Sequence, residues 1–352
     1  MLNISVCISM AIGAYLGGEI ILWLIWAVPV AGLAQLALVW IAADRAGVRL
    51  RPSRPRWTPE MKHLVAVAVP AALAGGVMQI NLLVGQQVAS HFDKAVGWLY
   101  AADRLYQLPL GVVGIAVGIV LLPDLSRRLS AQDDTGAKHA FARAGELSLA
   151  LTIPAAVALV VVPLPVVSVL FERGATGPDD SAAIAVAVAI YGLGLPAFVL
   201  QKVLQPLFFA REDTKSPFRY AVWAMIINAA IAVGLAPVIG WIAPAIATTV
   251  AGWAMVWLLA RGGRQFGDVA RFDAQFRDRL WRICLASFVM GVVLWGGTLL
   301  LGPYLAISGL RFAALAVLIG LGMGSYALAG QLFGAFSVRE MRSAFRRGGQ
   351  SR

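Results

Sequence analysis

The feature that most constrains this sequence is a succession of long apolar segments separated by short polar loops. Several segments approach or exceed the roughly 18 residues that a helix needs to cross a bilayer. Hydrophobic residues make up 60% of the 352-residue chain and charged residues only 13%, whereas a soluble protein of this size covers its surface with polar groups. The composition therefore excludes a soluble globule and predicts an all-α, polytopic membrane helix bundle.

The apolar segments predict about ten membrane-spanning helices, because a helix satisfies its own backbone hydrogen bonds within hydrocarbon. Their expected ranges are 2–17, 20–43, 61–90, 96–122, 140–171, 181–209, 217–236, 240–260, 280–301 and 311–335. The longest loop between them places aromatic residues such as Phe266, Phe272 and Phe276 at near-helical spacing among arginines. This pattern predicts an interfacial amphipathic helix on the membrane surface.

Two helix starts and three kinks are indicated by proline. Thr58-Pro59 and Ser216-Pro217 predict starts, because a hydroxyl can cap the first turn and proline needs no hydrogen-bond partner there. Pro70, Pro154 and Pro196 lie inside predicted helices. An internal proline removes an N–H group and clashes with the preceding turn, so each predicts a kink.

Lysine and arginine are distributed unevenly between the two sets of loops. One alternating set holds 24 of the 29 basic residues, and the opposite set holds only Lys94, Arg173 and Arg311. Because basic loops remain in the cytoplasm, the C-terminus is predicted to be cytoplasmic. Topology and attraction to anionic membrane lipids thus explain the net charge of +11, and no nucleic-acid partner is expected.

Two basic residues, Arg104 and Lys202, lie inside predicted spans, where an ionisable group is costly and is a functional candidate. Arg104 could grip phosphate oxygens with its planar guanidinium, or it could form a structural ion pair with an acid on another helix. Its neighbour Asp103 points in a different direction along the helix and could reach a different partner. Lys202 is the weaker candidate, because it could extend to the interface.

Other polar and small residues within the spans allow two interpretations each. Asn228, Thr248 and Thr249 could bind a cation, or they could form hydrogen bonds between helices. Glycines at spacings similar to those of phosphate-binding loops follow no strand and instead predict close helix packing. These glycines are Gly111, Gly114, Gly118, Gly320, Gly322 and Gly324.

The sequence favours a transporter over an enzyme. Cys7 and Cys284 lack the spacing of a disulfide framework or a metal site, and the three histidines accompany no catalytic arrangement. No acid pair supports hydrolysis, and no cofactor fingerprint is present. We therefore expect no catalytic residue, no metal and no cofactor.

Three segments resemble the MurJ/MviN family of lipid II flippases, within the superfamily that includes polysaccharide and multidrug exporters. The most specific runs from Trp98 through Tyr100-Ala101-Ala102-Asp103-Arg104 to Pro109. The second runs from Lys202 to Pro217 and contains Phe208-Phe209-Ala210-Arg211. The third is Leu170-Phe171-Glu172-Arg173-Gly174. The resemblance covers nearly the whole chain and aligns its helices with the fifth to fourteenth helices of the family fold.

The resemblance implies a V-shaped bundle that alternates between two orientations and carries lipid II to the outer leaflet of the bacterial inner membrane for peptidoglycan synthesis. It implies that Arg104 binds the diphosphate and that Asp103 pairs with a cavity arginine or changes protonation. Gly85 stands where some members of the family carry a sodium ligand, which leaves membrane potential as an alternative driving force. Since the family's first four helices lack a counterpart, the chain would not translocate lipid alone.

The resemblance also implies a division of the chain. The expected parts are the last two helices of the N-terminal lobe (1–43), a basic cytoplasmic linker (44–62), a C-terminal lobe of six helices (63–260), a cytoplasmic amphipathic segment (261–279), two helices forming a lipid-tail groove (280–335) and a basic cytoplasmic tail (336–352). The expected partners are lipid II, membrane lipids and cell-wall synthesis enzymes. Alternatives are a polysaccharide or multidrug exporter, an inactive fragment, a scaffold for cell-wall enzymes, and a membrane enzyme acting on polyprenyl phosphates.

Overall fold

The computed structural model describes residues 2–16, 20–47, 57–59, 61–62, 82–305, 307 and 309–335. Regular structure in this part of the chain is helical, as the composition predicts. The chain forms two compact units, Met1–Val69 and Pro70–Arg352, which we describe separately. The predicted kink at Pro70, the basic tail 336–352 and much of the linker 44–62 lie outside the described residues.

The first unit contains α1 (Leu2–Leu16) and α2 (Ile20–Arg45), close to the predicted ranges. The Ser5 hydroxyl donates to the carbonyl oxygen of Ala27 at 3.2 Å. Nearer the connection, a Cβ on Gly13 would lie 3.0 Å from Cδ1 of Trp23. These two contacts show that α1 and α2 pack side by side in opposite directions. Further along the unit, the Thr58 hydroxyl accepts the N–H of Met61 at 3.3 Å, which confirms the predicted cap.

The second unit is built around one central helix. In chain order its helices are α3 (Ala95–Ser130), α4 (Asp134–Val161), α5 (Pro163–Phe171), α6 (Pro178–Phe209), α7 (Lys215–Ile239), α8 (Ala243–Gly263), α9 (Ala274–Leu305) and α10 (Arg311–Leu332), and residues 82–89 are also helical. Helix α6 packs against α3, α4, α5 and α8, while α7 pairs with α8 and α9 pairs with α10.

Six helical stretches in the described residues are long and apolar enough to cross a membrane. One of them, Lys215–Ala270, contains both α7 and α8. The figure of about ten spanning helices thus stays a prediction.

The predicted single helix 140–171 is wrong, because the chain breaks between α4 and α5. Val162 has φ −124° and ψ 42°, outside the helical region, and Pro163 begins the next helix. Proline disfavours helical geometry in the residue before it and offers no N–H to the preceding turn. Pro154 and Pro196 lie within the continuous helices α4 and α6. The helix is therefore interrupted at Pro163, whereas hydropathy alone did not distinguish Pro163 from the prolines inside continuous helices.

Several helices extend beyond their apolar cores at the end of the unit where α3 ends and α4, α7 and α9 begin, which we call the basic end. There α3 continues to Ser130, eight residues past the predicted limit. Asp133 caps α4 by accepting the N–H of Gly136 at 2.8 Å. The start of α7 is capped by Asp213, which accepts the N–H of Ser216 at 2.9 Å, so the predicted Ser216 cap is wrong. Hydropathy marks only the apolar part of a helix, whereas capping side chains set its end.

The segment 261–279 differs from the predicted interfacial helix. Residues Arg264–Ala270 form two short 3-10 turns separated by a kink at Gly267, whose φ is 65°, and Asp273 caps α9 by accepting the N–H of Phe276 at 2.7 Å. The aromatic side chains face the protein, with ring centroids 5.0 Å apart for Phe208 and Phe266 and 4.8 Å apart for Phe141 and Phe272. The apolar residues of this segment therefore cover the bundle core instead of forming a separate membrane-surface helix.

Close packing in the bundle confirms one of the predicted glycines, Gly322, and involves others that were not predicted. The Phe198 ring lies between Gly194 and Gly252, where an added Cβ would stand 2.9 Å and 2.7 Å from ring carbons, respectively. Gly322 also packs closely, since a Cβ there would lie 2.9 Å from Cδ2 of Leu294. In contrast, a Cβ on Gly111, Gly320 or Gly324 would meet no atom of the described residues within 4 Å. The predicted close-packing role is wrong at these last three positions.

At the end of the unit opposite the basic end, Asp180 joins α6 to α3. Its carboxylate accepts Nε1 of Trp98 at 3.0 Å, Nζ of Lys94 at 3.2 Å and the N–H of Gly177 at 3.1 Å. The Trp98 ring also packs edge-on against Trp241, with centroids 5.1 Å apart. One buried carboxylate thus caps α6 and fixes the first turns of α3.

We expect Gly252→Ala to lower the free energy of unfolding by about 1–3 kcal/mol, because the added methyl overpacks a ring held on its other side by Gly194. The measurement is thermal unfolding of the purified protein in detergent. Gly320→Ala is the matched control, since its methyl enters open space, and it should leave the unfolding temperature unchanged or slightly raised. Equal effects of the two substitutions would contradict the packing described for Phe198.

Removing the Asp180 carboxylate should destabilise the end of the unit opposite the basic end. Asp180→Ala leaves the Trp98 indole and the Gly177 amide without their acceptor, and we expect a loss of about 1–3 kcal/mol. Hydrogen exchange should accelerate in the first turns of α3 and α6. Asp179→Ala changes an adjacent exposed carboxylate and should leave exchange unaltered. Equal exchange in both variants would argue against the contact between α3 and α6.

Candidate functional site

Helix α3 presents two different faces, and its sequence explains why. Leu99, Ala102 and Leu105 are buried in a cluster with side chains of α5, α6 and α8. Tyr100 and Arg104, four residues apart, point away from that cluster and are exposed. Residues at this spacing share one face of a helix. The apolar spacing on α3 therefore directs Arg104 outward from the packed core.

The Arg104 guanidinium is held on one side by Tyr100. Its Nη2 donates to the Tyr100 hydroxyl at 2.9 Å, and its Cζ lies 4.5 Å from the centroid of the tyrosine ring. Across the described residues, Arg104 forms no ion pair with an acid. The structural ion pair and the phosphate-binding role that the sequence allowed for Arg104 therefore both stay predictions. The remaining N–H groups can donate to an anion in the forked geometry that suits phosphate.

Asp103 has different partners from its neighbour, as the helical geometry predicts. Its carboxylate accepts hydrogen bonds from the Gln107 amide and the Tyr106 hydroxyl. The Tyr106 ring lies 5.1 Å from the Tyr191 ring and 5.5 Å from the Phe198 ring, measured between centroids. Asp103 is therefore linked to an aromatic group between α3 and α6. Pairing of Asp103 with an arginine on another helix stays a prediction.

Lys202 is exposed on α6 and lies at a different level of the bundle from Arg104. Its Cγ is 3.8 Å from the position that a Cβ on Gly114 would occupy. Gly114 follows Arg104 by ten residues, a rise of about 15 Å along α3. Arg104 on α3 and Lys202 on α6 therefore lie at two levels along α3, and the structure does not bring their side chains together.

The structure brings together two of the three candidate cation ligands. Asn228 on α7 is buried, and its amide donates to the Thr248 hydroxyl at 3.3 Å, which in turn donates to the Pro244 carbonyl at 2.8 Å. Thr249 instead donates to the carbonyl of Ile190 on α6 at 2.9 Å. The predicted trio is thus divided between two helix contacts.

Gly85 is the fourth residue that the sequence connects with this region. A Cβ on Gly85 would lie 4.0 Å from Cβ of Pro244, the residue whose carbonyl binds Thr248. Gly85 therefore lies next to the Asn228–Thr248 pair but supplies no side-chain oxygen. The oxygen atoms available here come from Asn228, Thr248 and the Pro244 backbone.

Sequence reasoning missed the aromatic residues that support the charged pair on α3. Tyr100 precedes Arg104 by four residues, and that spacing could have identified it as a cation–π partner. Tyr191 and Phe198 lie far from Asp103 in sequence, and only the packing of α6 on α3 brings them near it.

Comparisons with known proteins agree with this architecture. The family model described as "Lipid II flippase MurJ" matches residues 1–317. A probable lipid II flippase MurJ from Rhizobium tropici is 50% identical over 231 residues, which are 66% of this chain and 43% of that protein. A similarly named protein from Vibrio cholerae serotype O1 is 34% identical over 324 residues, or 91% of this chain and 58% of that protein.

A solved structure shows the same fold. The structure named "Lipid II flippase MurJ, inward closed conformation" aligns with a TM-score of 0.75 at 23% identity, covering 94% of this chain and 65% of that one. The chain spans about half the length of the curated relatives that it matches. It is a multi-pass membrane protein whose sequence follows the family model over most of its length. The chain therefore belongs to the lipid II flippase MurJ family.

Proposed function

We propose that this chain forms part of a lipid II flippase that moves the undecaprenyl-diphosphate-linked peptidoglycan precursor from the inner to the outer leaflet of the bacterial inner membrane. The observation that carries the proposal is Arg104, exposed on α3, which the sequence predicts to span the membrane, and held on one side by Tyr100. Family membership supports the same substrate. In this role the protein would transport its substrate by alternating access, without catalysing a chemical change.

The physical task is to replace water around a charged head group. A diphosphate cannot enter hydrocarbon without compensating hydrogen bonds and charge. The Arg104 guanidinium offers parallel N–H donors to two phosphate oxygens, and the Tyr100 ring limits its rotation. Lys202 would attract the same anion about 15 Å further along α3, towards the basic end. Asp103 would help to hold α3 against α6 through its hydrogen bond with Tyr106, whose ring packs on Tyr191.

The last two helices support the proposed route for the lipid tail. Trp295, Leu299 and Leu300 on α9 and Met323 and Leu328 on α10 expose large apolar side chains. Such side chains fit an acyl or prenyl environment in a membrane. We propose that segment 280–335 accommodates the polyprenyl tail while the head group occupies the polar site.

The basic loops support the proposed orientation. The positive-inside rule places the 24 basic loop residues, the basic end of the second unit and the C-terminus in the cytoplasm. In this orientation Asp180 and Arg311 lie on the external side.

Replacing Arg104 at the chromosomal locus tests the function. We expect Arg104→Ala to abolish growth when no other flippase is expressed and to leave lipid II in the inner leaflet. Arg104→Lys should retain partial activity, reduced about tenfold to a hundredfold, because a hydrogen bond to a charged group contributes about 1.5–3 kcal/mol and lysine cannot bind bidentately. The measurements are growth after depletion and labelling of outer-leaflet lipid II.

Arg127→Ala is the control for this experiment. Arg127 lies on the same helix, but its side chain is 77% exposed and pairs with Asp124 at 3.3 Å. Normal growth and normal outer-leaflet lipid II in Arg104→Ala cells would overturn the proposal. Loss of drug or polysaccharide export with unchanged lipid II distribution would instead identify an exporter of the same superfamily.

A separate prediction concerns sodium binding at the Asn228–Thr248 pair. If these oxygens bind sodium, the protein should unfold at a higher temperature in sodium chloride than in choline chloride, and Asn228→Leu should remove the difference. Thr249→Val is the control, because Thr249 bonds to Ile190 on another helix. Equal unfolding temperatures of the unmodified protein in both salts would exclude this cation site and leave membrane potential as the driving force.

A further inference from the structure

Four charged side chains meet at the basic end, between α4 and the start of α9. Arg143 and Glu146 belong to α4, and Asp273 and Arg279 belong to the α9 start. Arg143 Nη2 donates to both Asp273 carboxylate oxygens, at 3.0 Å and 2.9 Å, while its Nη1 donates to Glu146. Arg279 donates to the other Glu146 oxygen. The result is a chain of alternating charges across the two helices.

This network is much less exposed than an ordinary surface ion pair. The Glu146 side chain is 9% exposed, and those of Arg143 and Arg279 are 25% and 23% exposed. By comparison, the nearby Arg271 and Asp268 form a pair whose side chains are 73% and 75% exposed. Removing one partner from a shielded network leaves a charge uncompensated, whereas exposed pairs contribute little. The network can therefore determine geometry where the exposed pair cannot.

The network also fixes the position of the first turn of α9. Burial raises the pKa of Asp273, but the N–H of Phe276 and the guanidinium of Arg143 outweigh that effect and hold the pKa below its usual value. His139, also on α4, acts on Asp273 in the same direction. The carboxylate therefore remains ionised while it caps α9 and binds α4.

An aromatic stack reinforces the contact. The Phe272 ring lies between those of Phe141 and Phe276, with centroid distances of 4.8 Å and 3.9 Å. Gly145 leaves room for this stack, because a Cβ there would stand 2.8 Å from Cε1 of Phe272. Phe141 also packs in the same core cluster as Leu121 and Leu125 of α3. A continuous set of contacts thus joins the α9 start to the helix that carries Arg104.

Helices α9 and α10 pack on each other, α9 docks onto α4, and α10 contacts α5. Gly291 lies against Val157, and the Tyr326 hydroxyl donates to the Ala150 carbonyl at 2.6 Å. At the far end, Arg311 Nη1 donates to the Glu172 carbonyl at 3.3 Å. Among the described residues, the middle and far contacts are apolar or use a backbone carbonyl as acceptor. The multiple charged contacts occur at the basic end.

We propose that Arg143, Glu146, Asp273 and Arg279 are positioning residues that hold the α9–α10 pair in register on α4. This inference deepens the proposed function, because it would keep the tail-binding helices at a set distance from Arg104 during transport. The functional consequence rests on that proposal, whereas the positional role can be measured without transport.

The experiment measures distances between spin labels in the full protein, after Cys7 and Cys284 are replaced by serine. Labels at Arg127 on α3 and Leu332 on α10 report the position of the α9–α10 pair. Labels at Arg127 and Phe218 on α7 report the remaining bundle. We expect Glu146→Gln to broaden or shift the first distance distribution and to leave the second unchanged.

Arg271→Gln is the matched control, since it breaks the exposed pair in the same segment and should alter neither distribution. Changes in both label pairs of Glu146→Gln would indicate general destabilisation and overturn the positioning role, as would no change in either. Growth and outer-leaflet lipid II are measured in parallel. If Arg104→Ala leaves growth and outer-leaflet lipid II normal while Glu146→Gln displaces α10, the transport proposal is rejected and the positioning role is kept. If Arg104→Ala abolishes growth while Glu146→Gln leaves α10 in place, the positioning role is rejected and the transport proposal is kept.

Discussion

The absence of water in the bilayer core is the constraint on which the rest of this structure depends. Each spanning segment must satisfy its own backbone hydrogen bonds, so the apolar segments become helices. The same constraint makes a charge within a span costly unless it has a partner or a wet surface. The protein accordingly concentrates its charged side chains at the helix ends and leaves very few between them. Those few are where function is to be sought.

Helix α6 organises the second unit because it is covered on several sides. The Phe198 ring of α6 packs between Gly194 of the same helix and Gly252 of α8. Asp180, at the start of α6, accepts a hydrogen bond from Trp98 of α3. The aromatic contacts of Tyr191 then support Tyr106, which binds Asp103. The packed face of α3 is thus determined by α6, and the opposite face is left to present Arg104. A packed helix that presents an accessible guanidinium on its other face is a suitable arrangement for holding an anion that must later be released.

The charged contacts of the protein divide into two kinds with different consequences. Arg104 is exposed and is held by a hydroxyl and an aromatic ring, so its charge remains available. Arg143 and Arg279 are shielded and share Glu146, so their charges are used within the protein. Burial and pairing, rather than residue type, distinguish a binding role from a positioning role. The sequence already places Arg104 inside a predicted span and Arg143 and Arg279 among the basic loop residues, but only the structure shows that the latter two share Glu146.

The sequence by itself determined the helical membrane class and the approximate position of most described helices, and it singled out Asp103 and Arg104 as candidates, because hydropathy and the cost of a charge in hydrocarbon act locally. It did not reveal the break at Val162, the Asp213 cap or the inward-facing aromatic residues of the 264–276 segment, since each depends on which side chain lies nearby in space. Tertiary structure alone separated Thr249 from Asn228 and Thr248, and it joined Glu146 to Arg279 across 133 residues of chain. Such pairings follow from the packing of whole helices, and helix packing depends on shape complementarity between segments far apart in sequence.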